Sequence, residues 1–211
     1  MVDFRVEPIE IKLRSVKLNG TFFRYFGSKK LVIFAHGSGS SRLSPRNIAV
    51  AKYFLTRKIS SFLFDLLTEK EDKFYENRFE IDLITDRLLE VTRWLKTQKN
   101  TQKLELGYFG SSTGAAAALK AAVRLPKEIK AIVSRGGRPD LVILYLPKVK
   151  APTLLIVGGL DDEVVKLNQK AYDALGGIKK MEVIPGATHL FEEPGKIEKV
   201  SKLAADWFEK H

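Results

Sequence analysis

From residue 31 onward the chain repeats one pattern, in which a short, continuous apolar run gives way to a longer amphipathic stretch and then to another apolar run. The runs read LVIFA, SFLFDLL, LELGYF, KAIVS, TLLIVGG and MEVI. Continuous apolar runs of this length mark strands buried on both faces, and such strands belong to parallel sheets. The stretches between them, at 45–57, 78–99, 112–124, 163–175 and 195–210, predict helices. In the second, Ile81, Ile84, Leu88, Val91 and Leu95 share one face while Asp82, Asp86, Arg87 and Arg93 lie elsewhere. The alternation predicts an α/β fold, a mostly parallel central sheet with helices on both faces. Ahead of it, IEIKLRSVKLNGTFFRYFG alternates polar and apolar residues and predicts a β-hairpin at one edge, with Asn19-Gly20 as its turn signal.

No internal repeat and no Pro/Ser/Gly-rich linker divides the 211 residues, so a single domain spanning 1–211 is expected. The apolar runs fall far short of the roughly 20 residues a membrane-spanning helix needs, and the start lacks the layout of a signal peptide. A cytoplasmic protein with no membrane partner is the expectation. The net charge of +11 raises the possibility of nucleic-acid binding. However, Lys and Arg are interleaved with Asp and Glu throughout, the longest basic runs are pairs such as Lys29-Lys30, and no nucleic-acid-binding motif is present. The expectation is a solvated basic surface and no nucleic-acid partner. With no cysteine and only His36, His189 and His211, no metal site is expected either.

In a sheet of this kind ligands bind beyond the carboxyl ends of the strands. The loops to inspect therefore follow residues 35, 65, 109, 134 and 157. The third, GYFGSSTGAAAA, carries the adjacent hydroxyls Ser111, Ser112 and Thr113. A nucleophile on a sharp strand-to-helix turn brings the residues two before and two after it against neighbouring backbone, so both must be very small. Only Ser112 meets this demand, with Gly110 and Gly114; Ser111 would need Phe109 and Thr113 there, and Thr113 would need Ser111 and Ala115. The alanines that follow let the helix lie close under the sheet and aim its N-terminal amides at the reacting centre.

A serine hydroxyl needs a base to take its proton and an acid to orient that base. His189, in GATHLF after the last strand, is suitably placed; His36 sits in an early glycine loop and stabilises its own turn, and His211 ends the sequence. The acid comes from GGLDDEVV. Asp161 is favoured over Asp162, because Asp162 and Glu163 open the next helix, where acids complement its dipole. The oxyanion needs preorganised donors. The Thr113 amide is one, and the Ser38 amide, in the glycine loop FAHGSGSS, is assigned as the second.

Taken in order, FAHGSGSS, GYFGSSTG, VGGLDDEVV and GATHLF resemble an α/β-hydrolase of the dienelactone-hydrolase-like group, over nearly all of the chain from residue 30. The resemblance implies the α/β-hydrolase fold and a Ser-His-Asp esterase-type hydrolase with no metal and no organic cofactor. Dienelactone hydrolase itself uses a cysteine nucleophile, which this chain lacks, so that particular substrate is not implied. The roles carried over are nucleophile for Ser112, acid for Asp161, base for His189 and oxyanion amides for Ser38 and Thr113.

A secondary feature, SRGGRPDL, follows a central strand and carries Arg135 and Arg138. Two readings stand: a guanidinium fork holding a substrate carboxylate or phosphate, or a glycine turn whose arginines pair with Asp140 or neighbouring acids. Asp65 is expected to organise its loop, and Glu192 and Glu193 before Pro194 to start the last helix. Only residues 135–151 separate two strands where this fold commonly inserts a lid, so no cap domain is expected. Residues 67–79 and 141–146 would then wall an open site for small or medium esters.

The resulting expectation is a capless serine hydrolase acting on a small-molecule ester through an acyl-enzyme. An acyltransferase, thioesterase or peptidase would use the same three residues. A non-catalytic module of this fold, binding an anion or a partner, is the alternative from another class. The sequence carries no signal of oligomeric state.

Overall fold

The computed structural model describes residues 3–211. Its eight strands are β1 (Phe4–Lys12), β2 (Lys17–Tyr25), β3 (Lys30–Ala35), β4 (Ser60–Phe64), β5 (Glu105–Ser111), β6 (Ile129–Arg135), β7 (Thr153–Gly158) and β8 (Lys179–Ile184). They form one sheet in the order β1-β2-β4-β3-β5-β6-β7-β8. The six strands from β4 to β8 run parallel, and the hairpin β1-β2 is joined antiparallel to β4 at one edge. Strands β3 to β7 are buried along most of their length, which is why their sequences read as continuous apolar runs rather than alternating ones.

Five α-helices cover the sheet: α1 (Pro45–Thr56), α2 (Ile81–Thr97), α3 (Thr113–Arg124), α4 (Asp162–Ala174) and α5 (Lys196–Lys210). Helices α1 and α5 pack on one face around Phe34, Phe54, Phe109 and Phe208, with the Phe34 and Phe109 rings stacked 4.7 Å apart. On the other face, α2, α3 and α4 enclose Phe62, Tyr108, Leu88 and Ala171. Ala115, Ala116, Ala117 and Ala118 of α3 have no exposed surface, so this helix lies directly against the strands as its small side chains allow.

Two details depart from the sequence reading. The hairpin forms, but its turn falls at residues 13–16, closed by Leu13 N–H donating to Val16 O at 3.0 Å. Asn19 and Gly20 lie inside β2, opposite Glu10 and Ile9. Gly20 serves close packing rather than turning: a Cβ there would meet the Phe62 ring at 2.8 Å. Glu192 and Glu193 likewise precede the last helix instead of starting it. Glu193 accepts the Thr188 amide at 3.1 Å, Glu192 pairs with Arg46, and α5 begins beyond Gly195.

Between β6 and β7 the chain forms only a 3-10 segment, Pro139–Lys148, packed on α3 and α4. Among the described residues no helix is long and apolar enough to cross a membrane. The connection after β3 leads to β4 on one side, whereas the connection after β4 crosses to β5 on the other. The ends of β3 and β5, where Ala35 faces Gly110, therefore diverge into a crevice at the switch point of the sheet.

Candidate active site

Ser112 stands in that crevice, between the last residue of β5 and the first of α3. Its φ of 49° and ψ of −123° lie in a strained region for a residue with a side chain. Its two glycines explain how the turn closes. A Cβ on Gly110 would lie 2.4 Å from Ala115 Cα, and one on Gly114 would lie 2.2 Å from Ala35 O, both impossible against backbone. Ser112 makes no capping bond to its own helix, so the hydroxyl is left to other partners. Ser111 and Thr113 are buried, while Ser112 is half-buried.

Asp161 and His189 meet across two loops. His189 Nδ1 lies 2.6 Å from Asp161 Oδ2. Asp161 occupies the residue before α4 without capping it, whereas Asp162 and Glu163 sit exposed in the first turn, where the helix dipole favours them. The two loops are tied by Gly159 N–H to Ile184 O and Leu160 N–H to Ala187 O, both at 2.9 Å. His189 is also backed by the turn after β6. A Cβ on Gly136 would lie 3.1 Å from His189 O and 3.6 Å from His189 Cε1, and Gly136 holds a φ of 50°. The same turn grips Ser112 through Ser112 N–H to Arg135 O at 3.3 Å and Arg138 N–H to Ser112 O at 3.1 Å. Residues 135–138 thus contact both Ser112 and His189. The bond that the imidazole makes is the one to Asp161; among the described residues it makes none to Ser112 Oγ.

The glycine loop lies against Ser112, since a Cβ on Gly37 would approach Ser112 Cβ to 2.9 Å and Ser112 Oγ to 3.7 Å. The Ser38 amide, expected as a free oxyanion donor, is engaged: it donates to Thr113 Oγ1 at 2.9 Å. The Thr113 amide, at the first position of α3, has no acceptor within the helix. His36 does organise its own loop. Its Nδ1 lies 2.9 Å from Gly37 O and its Nε2 accepts the Leu66 amide at 3.1 Å, and burial holds its pKa below the usual imidazole range.

The sequence model of the dienelactone hydrolase family matches residues 64–211. This chain belongs to the dienelactone hydrolase family. A crystal structure of dienelactone hydrolase from Anabaena variabilis is 45% identical, covers 99% of each chain and superposes with a TM-score of 0.96. Est1E from Butyrivibrio proteoclasticus is 15% identical with a TM-score of 0.82 over 96% of this chain and 98% of its own, a likeness of fold. A Mycobacterium tuberculosis protein named "Putative phosphoribosyl transferase" is 54% identical over 98% of this chain and 47% of its own length. The chain therefore spans about half the length of the curated relatives it matches so closely.

In this member of the dienelactone hydrolase family the two arginines of the β6 loop are engaged separately and form no common fork. Arg138 is held by Asp140 through two bonds of 2.9 Å, the ordinary ion pair of a glycine turn. Arg135 is buried, 7% exposed, over the Phe191 ring and without a carboxylate partner. Its long contacts are to Ser111 Oγ at 3.3 Å and Asn47 Oδ1 at 3.4 Å, its Nη1 has no partner among the described residues, and burial followed by the like charge of Arg46 holds its pKa down to about 10.

A different pair reaches the crevice. Arg78 and Asp72, joined at 2.8 Å, line a small cavity with Ser38, Gly39, Leu67, Ile84 and Thr113. The sequence reading took in these residues only as part of a wall, because their spacing carries no motif. That wall is anchored by Arg87 of α2, which reaches Glu71 at 2.7 Å. It also leaves Phe74 and Tyr75 each 65% exposed, and Leu144 of the 3-10 segment after β6 is 84% exposed. Asp65 organises its loop as expected, accepting Arg42 N–H at 2.8 Å.

Proposed function

We propose that this chain is a serine hydrolase that cleaves carboxylic esters of small to medium size. Ser112 attacks the carbonyl carbon while His189 Nε2 takes the hydroxyl proton, and Asp161 holds the imidazole and stabilises the imidazolium that forms. The tetrahedral intermediate collapses as His189 returns that proton to the leaving alcohol. Water, deprotonated by the same imidazole, then attacks the acyl-serine and frees the acid. The observation that carries this reading is the strained Ser112, pinned between two obligatory glycines and gripped by the same β6 turn that backs the Asp161-bound His189. For proton transfer the imidazole must close on Ser112 Oγ, an adjustment often made only when substrate binds.

Membership of the family and the crevice beside the segment that exposes Phe74 and Tyr75 support a small-molecule ester. A dedicated site for an acidic group is not part of the proposal, because Arg138 is neutralised by Asp140 and Arg135 is buried. The same three residues would serve a thioester, an amide or another acyl acceptor. The phosphoribosyl transferase name stays with a relative of which this chain spans less than half.

The test is hydrolysis of a short p-nitrophenyl ester together with labelling by a fluorophosphonate. Ser112→Ala should abolish both. Full labelling of that variant overturns the assignment, and a wild-type chain inert to the probe favours a binding module of the same fold.

A further inference from the structure

We propose that the Thr113 hydroxyl is itself a donor to the oxyanion, with the Ser38 amide acting behind it. The inference rests on the serine-hydrolase reading and changes which atoms form the oxyanion hole.

The starting point is the bond from Ser38 N–H to Thr113 Oγ1 at 2.9 Å. An amide carries one proton, and this bond uses it. The Ser38 amide is therefore not free to point at a substrate oxygen unless Thr113 first turns away. A hydroxyl that accepts a hydrogen bond still has its own proton to give. Thr113 Oγ1–H has no competing acceptor among the described bonds, and Thr113 is buried, 5% exposed, so water does not readily take that proton. A hydroxyl in the interior of a helix would turn it back to a carbonyl one turn earlier, as Thr92 does to Leu88 O. Thr113 is the first residue of α3, and no earlier turn exists to receive it.

Placement supports the role. Thr113 directly follows the nucleophile, and the loop carrying Ser38 is pressed against Ser112 at Gly37, 2.9 Å from Ser112 Cβ to the position a Gly37 Cβ would take. The Thr113 hydroxyl is thus tied to the loop that lies against Ser112, and the carbonyl oxygen is assigned to the corner between them. Bonds in series polarise one another, so a hydroxyl that accepts from an amide becomes a better donor as negative charge develops on that oxygen. The Thr113 amide, unpaired at the helix start, supplies the other bond. One residue then contributes both donors, and the glycine loop tunes one of them. No covalent bond to Thr113 forms or breaks, and its proton stays on Oγ1 throughout.

The test compares Thr113→Val, Thr113→Ala and Thr113→Ser on an ester and on the corresponding thionoester, whose sulfur is a weak acceptor. Loss of one oxyanion donor lowers kcat about 10²–10³-fold. Thr113→Val and Thr113→Ala should fall by that factor with KM within about threefold of wild type, and their preference for the oxo over the thiono ester should shrink in step. Thr113→Ser, which keeps the hydroxyl, should restore most of the rate. A Thr113→Val enzyme that turns over as fast as wild type, or faster, overturns the inference: Thr113 would then only plug the Ser38 amide. Equal losses in Thr113→Ser and Thr113→Val overturn it too, as does an unchanged oxo-to-thiono ratio. Ser112→Ala is run in parallel; if it retains activity, the serine-hydrolase reading fails, whatever the Thr113 variants do.

Discussion

His189 Nδ1 and Asp161 Oδ2 lie 2.6 Å apart, although 28 residues separate them along the chain. Two loops at neighbouring strand ends carry the pair, and the backbone bonds between those loops hold it. Asp162, one residue on, belongs to the helix start and is exposed. Asp161→Asn should therefore lower kcat by about 10³–10⁴-fold by removing the charge that fixes the imidazole tautomer. Asp162→Asn should leave kcat within about threefold and change stability by about 0.5 kcal/mol or less, as expected of an exposed dipole partner. Steady-state kinetics on both variants checks the assignment, and a reversed order would exchange the two acids.

Gly136 is the point where the β6 turn touches His189. A side chain there is disfavoured twice, by the φ of 50° and by His189 O at 3.1 Å from the added Cβ. Gly136→Ala should cost about 1–2 kcal/mol of stability. It should also lower kcat by more than about tenfold, because a shift of 1 Å at a catalytic group is enough to do so. Denaturant midpoints and kcat measured together separate the two effects; an undisturbed kcat in a destabilised variant would mean that the turn does not position His189.

His36 makes stability depend on pH. In the folded chain burial favours the neutral ring, which accepts the Leu66 amide through Nε2, and the bond to the Gly37 carbonyl and the Asp65 and Asp72 charges only partly oppose this. The unfolded chain takes up a proton near pH 6.5. Below that pH the unfolded state therefore binds more protons, so the stabilisation is fully present above about 6.5 and is lost as pH falls through the lower folded value. His211 is shifted in the same direction and adds to the slope. Chemical denaturation between pH 5 and 8 should show the decline, and His36→Asn should flatten it while lowering stability at pH 8. An unchanged slope in that variant would assign the dependence elsewhere.

Arg135 carries the same sign in a more alkaline range. Its folded pKa of about 10 lies below its value in the unfolded chain, so the unfolded state holds the proton more tightly and the buried charge opposes folding at neutral pH. Arg135→Met, similar in length and uncharged, should leave stability unchanged or raise it by up to about 2 kcal/mol. It should leave KM for neutral esters within about twofold of wild type. A large loss of stability would mean that the long bonds to Ser111 and Asn47 matter more than desolvation.

Much of this molecule is legible along the chain because its constraints are local or periodic. Parallel strands buried on both faces must be continuously apolar, and an elbow that brings residue 110 against Ala115 must have glycine there. Those demands set the α/β order, the five helices and the position of Ser112. The Asn19-Gly20 pair misleads because glycine has two uses, and only the Phe62 ring, arriving from another strand, selects close packing over turning. The arginines are ambiguous for a similar reason: whether a guanidinium meets Asp140, as Arg138 does, or is buried, as Arg135 is, depends on neighbours that spacing does not reveal. The glycine loop around Ser38 is the clearest division. The sequence by itself determined that Ser38 and Thr113 would flank Ser112. Only the tertiary structure decided that the amide of one points at the hydroxyl of the other, because the direction of a single N–H is set by a side chain 75 residues away.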